Sequence, residues 1–315
     1  MMMLCFVGTH ALESLSEINS FREKKKSLSN CRWSNCNYLA RAVRKSDEFT
    51  RFEYEGWQRA AEKYDAVWSS LTRQFIPYLI DAAQVSMGLS VLDVACGPGY
   101  VSAAVKKVGA NPTGVDFSKK MIAIASRMFP EIAFREGDAQ QLRFADASYD
   151  RVLMNFGLLH LSSPEKACAE AIRVLRPRGK FGFTIWAEPH ENPGGKIVND
   201  AIEAHADLNV DVPEGPSKFL YANKQECRKA LERDGFHGES IIFETHLVEW
   251  DVPTPRYLFE AERDAGVRTA GLLAHQASDQ LEAIMRAIEA RVRRYAKGNR
   301  FAIPMAAHIV VASKR

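Results

Sequence analysis

The chain has 315 residues, 46% hydrophobic and 26% charged, and a formal net charge of +3. These proportions describe a globular chain large enough for one big α/β domain or two smaller ones, and they exclude disordered and fibrous classes. Residues 1–50 hold eight Lys or Arg against five Asp or Glu, which is the whole of the excess, and the neutral remainder argues against a broad nucleic-acid footprint.

No apolar run reaches the length of a membrane span. The opening MMMLCFV has no basic flank before it and no small-residue cleavage site, so neither a signal peptide nor an anchor is expected and a cytoplasmic location is the default. The six cysteines (Cys5, Cys31, Cys36, Cys96, Cys168 and Cys227) lack the paired spacing of a metal site, so reduced thiols and no metal are expected.

Residues 1–48 mix Ser, Asn and Lys, with Arg22 to Lys26 as a charge run, and read as a mobile N-terminal extension or a few loose helical turns. From Glu53 the pattern turns helical, with Trp57, Ala60, Ala61, Tyr64, Trp68, Leu71 and Phe75 recurring at helical steps. Pro77 marks a start or a kink in this lead-in of 49–88. A helix placed just before the first strand can fold over the strand ends. Trp57 and Trp68 read as packing residues, and the Tyr64 hydroxyl needs a polar partner.

Val91 to Val94 then form an apolar strand that runs straight into Ala95-Cys96-Gly97-Pro98-Gly99. Small residues there let the backbone bend tightly and bring its amides close to a ligand at the next helix's start. Beyond the turn the chain alternates: helix 101–108, strand 112–117, helix 118–129, strand 132–136, strand 149–156, helix 164–175, turn 176–179 and strand 180–186. Such repetition predicts a doubly wound, mostly parallel sheet whose ligand lies beyond the carboxyl ends of the strands.

Residues 188–222 are rich in Pro and Gly around one helical piece and read as a lid-like insertion. A helix over 223–233, a strand over 240–250, a second helical insertion over 254–300 and a last strand over 304–312 complete seven strands. The two insertions are expected to build an acceptor pocket, with Phe219, Leu220, Tyr221, Tyr257, Phe259, Leu272 and Leu273 as its apolar surface.

Three acids fall at successive strand ends. Asp93 precedes the glycine turn, Asp116 ends the second strand 19 residues after Gly97, and Asp138 follows the third. Asp93 is placed to orient the turn or to receive an ammonium through water, Asp116 to accept two ribose hydroxyls, and Asp138 to take an exocyclic amine. Together they describe a pocket for an adenosine with a charged amino-acid tail. A nicotinamide dehydrogenase needs G-x-G-x-x-G, whereas this turn is A-x-G-x-G.

These motifs resemble class I S-adenosylmethionine-dependent methyltransferases, in particular the small-molecule group of ubiquinone and menaquinone biosynthesis (methyltransferase type 11). VLDVACGPG matches the glycine motif with Ala95 in place of Gly, GVDFS the ribose motif, EGDA the adenine motif and FADASYDRVLMNFGLLHL the fourth-strand motif. RVLRPRGKF matches the turn before the fifth strand, with Arg178 where Gly is usual.

The resemblance implies a Rossmann-like α/β fold for 49–315, with the cofactor core at 89–187, and S-adenosyl-L-methionine as cofactor. Gly97 and Gly99 then approach the methionine portion, Asp116 with Phe117 the ribose side, and Asp138 with Ala139 the adenine. Asn155 and Phe156 line the wall beside the sulfonium, and Tyr64 reaches the cofactor from the lead-in. Methyl transfer to a small-molecule acceptor is the expected reaction, with no nucleic-acid partner. A protein or RNA methyltransferase and a non-catalytic cofactor-binding module are the alternatives.

A base near the rim helps if the acceptor must lose a proton, and His160, just after the fourth strand, is the candidate. His190 between Glu188 and Glu191 is a second rim candidate, and that trio is expected to face water rather than a metal.

Overall fold

The computed structural model describes residues 33–315, with side chains from residue 46 onward. Residues Glu48–Arg315 form one compact unit. Helix α1 covers Trp33–Val67, so residues 33–48 of the N-terminal extension are helical, while the rest of that extension lies outside the described residues. Short turns follow to Phe75. Pro77 then sits in the first turn of α2 (Ile76–Ala82), where its missing N–H is not needed.

The sheet runs in the order β3 (Ala133–Glu136), β2 (Asn111–Asp116), β1 (Ser90–Val94), β4 (Tyr149–Asn155), β5 (Leu175–Trp186), β8 (Arg300–Ser313), β6 (Ile242–Val252). A two-residue β7 (Ala296–Lys297) pairs with β8. Strands β1 to β5 are mutually parallel, and β8 is antiparallel to both β5 and β6. This is the doubly wound, mostly parallel α/β sheet expected. Strand order reverses between β1 and β4, which opens a crevice at their carboxyl ends.

Helices cover both faces, which explains the nearly unbroken apolar strands. In β8, Ile303, Met305, Ala307, Ile309 and Val311 join one core, while Val310 and Ala312 join the other. The first core packs on α2, α3 (Tyr100–Lys107), α6 (Pro193–His205) and α8 to α10 (Tyr257–Ala265, Arg268–Ala274, Ser278–Val292). The second packs on α5 (Pro164–Val174) and α7 (Lys224–Arg233). A third, smaller cluster joins Trp57, Ala60 and Ala61 of α1 to Met121 and Ile124 of α4 (Lys119–Met128) and to Val267. It fixes α1 across the crevice.

One expected turn is absorbed into a strand. Residues 176–179 belong to β5, with an irregularity where β4 shifts its partner between Tyr149 and Arg151. Arg178 carries that irregularity at φ 64° and is exposed. A left-handed L-residue costs about 1–2 kcal/mol, of which glycine's extra freedom in the unfolded chain returns only part. Arg178→Gly is therefore expected to stabilise the protein by about 0.5–1 kcal/mol, read from the urea midpoint; an unchanged or lower midpoint counts against this strain.

Candidate active site

The crevice holds a cavity of about 220 Å³ bounded by the carboxyl ends of β1, β2, β4 and β5, by α1, and by the segment 262–269. Its floor is the turn after β1. Ala95 has φ 53°, Gly97 φ 51° and Gly99 φ 88°, so three left-handed residues reverse the chain within five positions. A Cβ on Gly97 would meet nothing within 4 Å, because that side faces the cavity. Gly99 is glycine for another reason: a Cβ there would lie 2.8 Å from the Phe134 ring. Gly99 does not line the cavity. Its backbone starts α3 instead.

The acids have more structural work than the sequence suggests. Asp93 is buried, and its Oδ2 accepts from the Ser102 amide at 2.9 Å and hydroxyl at 2.7 Å, tying β1 to α3. Its Oδ1 has no hydrogen-bond partner among the described residues. Burial pushes this carboxyl up to about 7, against the pull of Ser102. Asp116, also buried, accepts from Gly97 N at 2.9 Å and Ser118 N at 2.8 Å, so it shapes the glycine turn itself. Burial raises it to about 6, opposed by those amides and by His160. Asp138 is exposed and accepts from the Gln140 amide at 2.8 Å. Gln140 in turn accepts from Ser162 Oγ and Ser163 N, which joins the loops after β3 and β4.

Tyr64, Ala95, Phe117, Ala139, Asn155, Phe156 and His160 also line the cavity. Tyr64 shares a 3.2 Å hydrogen bond with the Thr72 hydroxyl, and burial lifts its phenol to about 12. Asn155 donates to the Thr72 carbonyl at 3.2 Å, leaving its own Oδ1 without a hydrogen-bond partner among the described residues. Phe156 is left-handed at φ 57° and stacks on Trp186 with centroids 4.1 Å apart.

His160 brings α1 into the chemistry. Its Nδ1 is 3.0 Å from Glu53 Oε2, and the Glu53 side chain is 0% exposed. The other Glu53 oxygen lies 3.7 Å from Arg268 Nε. Trp57 meets the imidazole edge-on at 4.8 Å and Tyr64 at 5.3 Å. Both Trp57 and Trp68 line the cavity, beyond the packing role expected of them. Sequence reasoning passed over Glu53 as a partner for His160, yet it sits four residues before Trp57 on the apolar stripe, where an acid has no business without a partner. Arg268 and Arg73, whose guanidinium lies 4.2 Å over the Tyr100 ring, carry no local signal.

The far wall differs from the expected one. None of Phe219, Leu220, Tyr221, Tyr257, Phe259, Leu272 and Leu273 lines the cavity; Tyr221, Phe259 and Leu273 are buried in the cores. Lys218, Glu262 and residues 265–269 of the same insertions form that wall. Burial raises the Glu262 carboxyl and lowers the Lys218 ammonium, each partly offset by the other. His190 is 70% exposed, 3.4 Å from Glu188, and away from the cavity. Among the described residues, no group of three or more His, Cys, Asp or Glu is arranged to hold a metal ion.

Comparison with known proteins agrees with this geometry. A family model described as a methyltransferase domain matches residues 92–183. The demethylmenaquinone methyltransferase of Renibacterium salmoninarum is 38% identical over 169 residues, covering 51% of this chain and 70% of that protein. That of Beutenbergia cavernae is 36% identical over 171 residues, covering 49% and 68%. The chain thus belongs to the class I S-adenosylmethionine-dependent methyltransferases, in the group that includes the demethylmenaquinone methyltransferases.

Proposed function

We propose that this chain binds S-adenosylmethionine in the crevice and methylates a small aromatic acceptor carrying an acidic hydroxyl, of the phenol or quinol kind. The observation that carries the reading is a set of buried acceptor oxygens around one cavity: Asp93 Oδ1 and Asn155 Oδ1 have no hydrogen-bond partner among the described residues, and Asp116 belongs to the neighbouring strand β2. Orphaned oxygens in a buried site call for donors. An ammonium and two ribose hydroxyls supply them, so the residues present fit the cofactor.

When bound, S-adenosylmethionine supplies a methyl group on an electron-poor sulfonium. The protein's part is to bind, orient and exclude water. Asp116 takes hydroxyls while holding Gly97. Asp138 and the Ala139 amide face the adenine end, and Tyr64 and Phe156 close over the methionine end, with Arg73 offered to a carboxylate. Trp57, Trp68 and Trp186 provide flat apolar walls for an aromatic acceptor. His160 accepts the acceptor's proton. The relatives' names point to a quinol acceptor, and the neutral charge balance of residues 51–315 gives no reason to prefer RNA.

The test is transfer of labelled methyl from S-adenosylmethionine to 1,4-dihydroxynaphthalene, to total protein and to RNA in parallel. Label in the naphthol fraction supports the reading; label confined to RNA or protein overturns it. His160→Ala is expected to lower kcat by about 100-fold, the lower range for loss of a general base, with cofactor affinity within about twofold of wild type by calorimetry. Normal turnover by His160→Ala makes the histidine a packing residue.

A further inference from the structure

The Glu53 carboxylate is buried with an imidazole at one oxygen and a guanidinium at the other. A carboxylate removed from water needs compensation: Oε2 pairs with His160, while Oε1 has no hydrogen-bond partner among the described residues and is met by the Arg268 charge at 3.7 Å. Arg268 is itself fixed, donating to the carbonyls of Leu159 at 3.2 Å and Pro216 at 2.6 Å and lying 4.8 Å over the Phe49 ring. Glu53 therefore cannot swing toward Arg268 without leaving His160, nor the reverse.

A neutral imidazole carries one N–H, and a carboxylate oxygen at 3.0 Å from Nδ1 accepts only if that proton is on Nδ1. Nε2 then holds the lone pair. Among the described residues the only hydrogen bond of the ring is at Nδ1, and the ring lines the cavity.

We infer that Glu53 is a positioning residue: it holds His160 in the tautomer whose bare Nε2 faces the acceptor, and it shares the positive charge once Nε2 is protonated. This rests on the reading of His160 as the proton acceptor. The proton moves from the acceptor hydroxyl to Nε2 while an acceptor electron pair forms the bond to the methyl carbon of the sulfonium donor. The pair of the broken sulfur–carbon bond stays on the departing thioether, and no oxidant or reductant takes part. Arg268, 3.7 Å from the other oxygen, offsets the burial of the Glu53 charge, which links α9 to a proton transfer it does not touch.

The experiment uses the full chain labelled with ¹⁵N-histidine, its ring nitrogens read in long-range ¹H–¹⁵N correlation spectra, and His160→Gln to assign the signals. In the neutral ring of the wild type the proton is expected on Nδ1. In Glu53→Gln it should redistribute between the two nitrogens, and kcat for 1,4-dihydroxynaphthalene should fall at least tenfold with KM within about twofold. Gln is nearly isosteric, so the fold is retained, and the wild-type spectrum needs no variant.

A wild-type proton on Nε2 overturns the inference whatever the activity. So does a Glu53→Gln protein that keeps both the wild-type tautomer and the wild-type kcat while His160→Gln is slow; in that case the role of His160 stands without Glu53. If the wild type moves no label to the naphthol, the acceptor reading fails by itself, and the tautomer comparison, which needs no acceptor, still decides what Glu53 does.

Discussion

Asp116→Ala is expected to lower S-adenosylmethionine affinity by at least 100-fold and to destabilise the protein by about 2–4 kcal/mol. The two losses have one origin. Asp116 accepts from Gly97 N and Ser118 N, so alanine leaves two amides without their acceptor, each at about 1–3 kcal/mol. Gly97 sits at φ 51° inside a turn where Ala95 and Gly99 are also left-handed, and the hydrogen bond its amide donates to Asp116 helps hold it there. The affinity loss, about 2.7 kcal/mol for 100-fold, combines the lost carboxylate with a loosened turn. Urea unfolding and calorimetric titration read the two effects separately. Wild-type stability with reduced affinity would confine Asp116 to ligand contact; wild-type affinity would remove it from the site.

The second large effect is a stability that falls as pH rises. Asp93 titrates near 7 in the folded chain against an ordinary value of 3.8. Between those values the folded state binds the proton and the unfolded state has released it, so stability decreases through roughly pH 4 to 7. The gap between the two values corresponds to a loss on the order of 4 kcal/mol. Asp116, raised to about 6 from 3.8, acts with the same sign over a lower window. Asp93→Asn cannot ionise, yet its amide oxygen still accepts from Ser102. Without ligand, the variant should be more stable than wild type at pH 8 by about 1–3 kcal/mol, the gain being trimmed by an amide that lacks an acceptor. The margin should shrink toward pH 5, and cofactor affinity should drop. Parallel stability curves for the two proteins from pH 5 to pH 8 would contradict the buried, raised carboxyl.

What the sequence disclosed and what it withheld divide along chain distance. The β-α alternation, the turn from Ala95 to Gly99 and the acids at strand ends were legible because each is a local pattern with a local cause. Asp93 and Asp116 line the cavity at their strand ends, but no local pattern signals their capture of Ser102, Gly97 and Ser118. Gly99 read as a ligand contact because φ and close packing leave the same residue type, and only the Phe134 ring tells them apart. The Glu53–His160 pair spans 107 positions and Glu53–Arg268 twice that; no periodicity connects them. The aromatic residues expected in the acceptor wall are apolar enough for either role, and the core took them. Arg178 breaks the local rule for φ 64°, and nothing in the local pattern signals that a strand rather than a turn absorbs it.

The place of β8 in the sheet also governs how the molecule can be made. Strand β8, residues 300–313, lies between β5 and β6 and is the in-sheet neighbour of both. During synthesis β6 therefore emerges some fifty residues before anything can pair with it, exposing a free edge of eleven residues and the apolar side chains of Val248, Trp250 and Val252. Edges of that kind recruit foreign strands. Chaperone dependence and aggregation in this protein should concentrate in the interval between translation of β6 and arrival of β8, and a ribosome stalled after residue 292 should hold a nascent chain that a strand-mimicking peptide can cap.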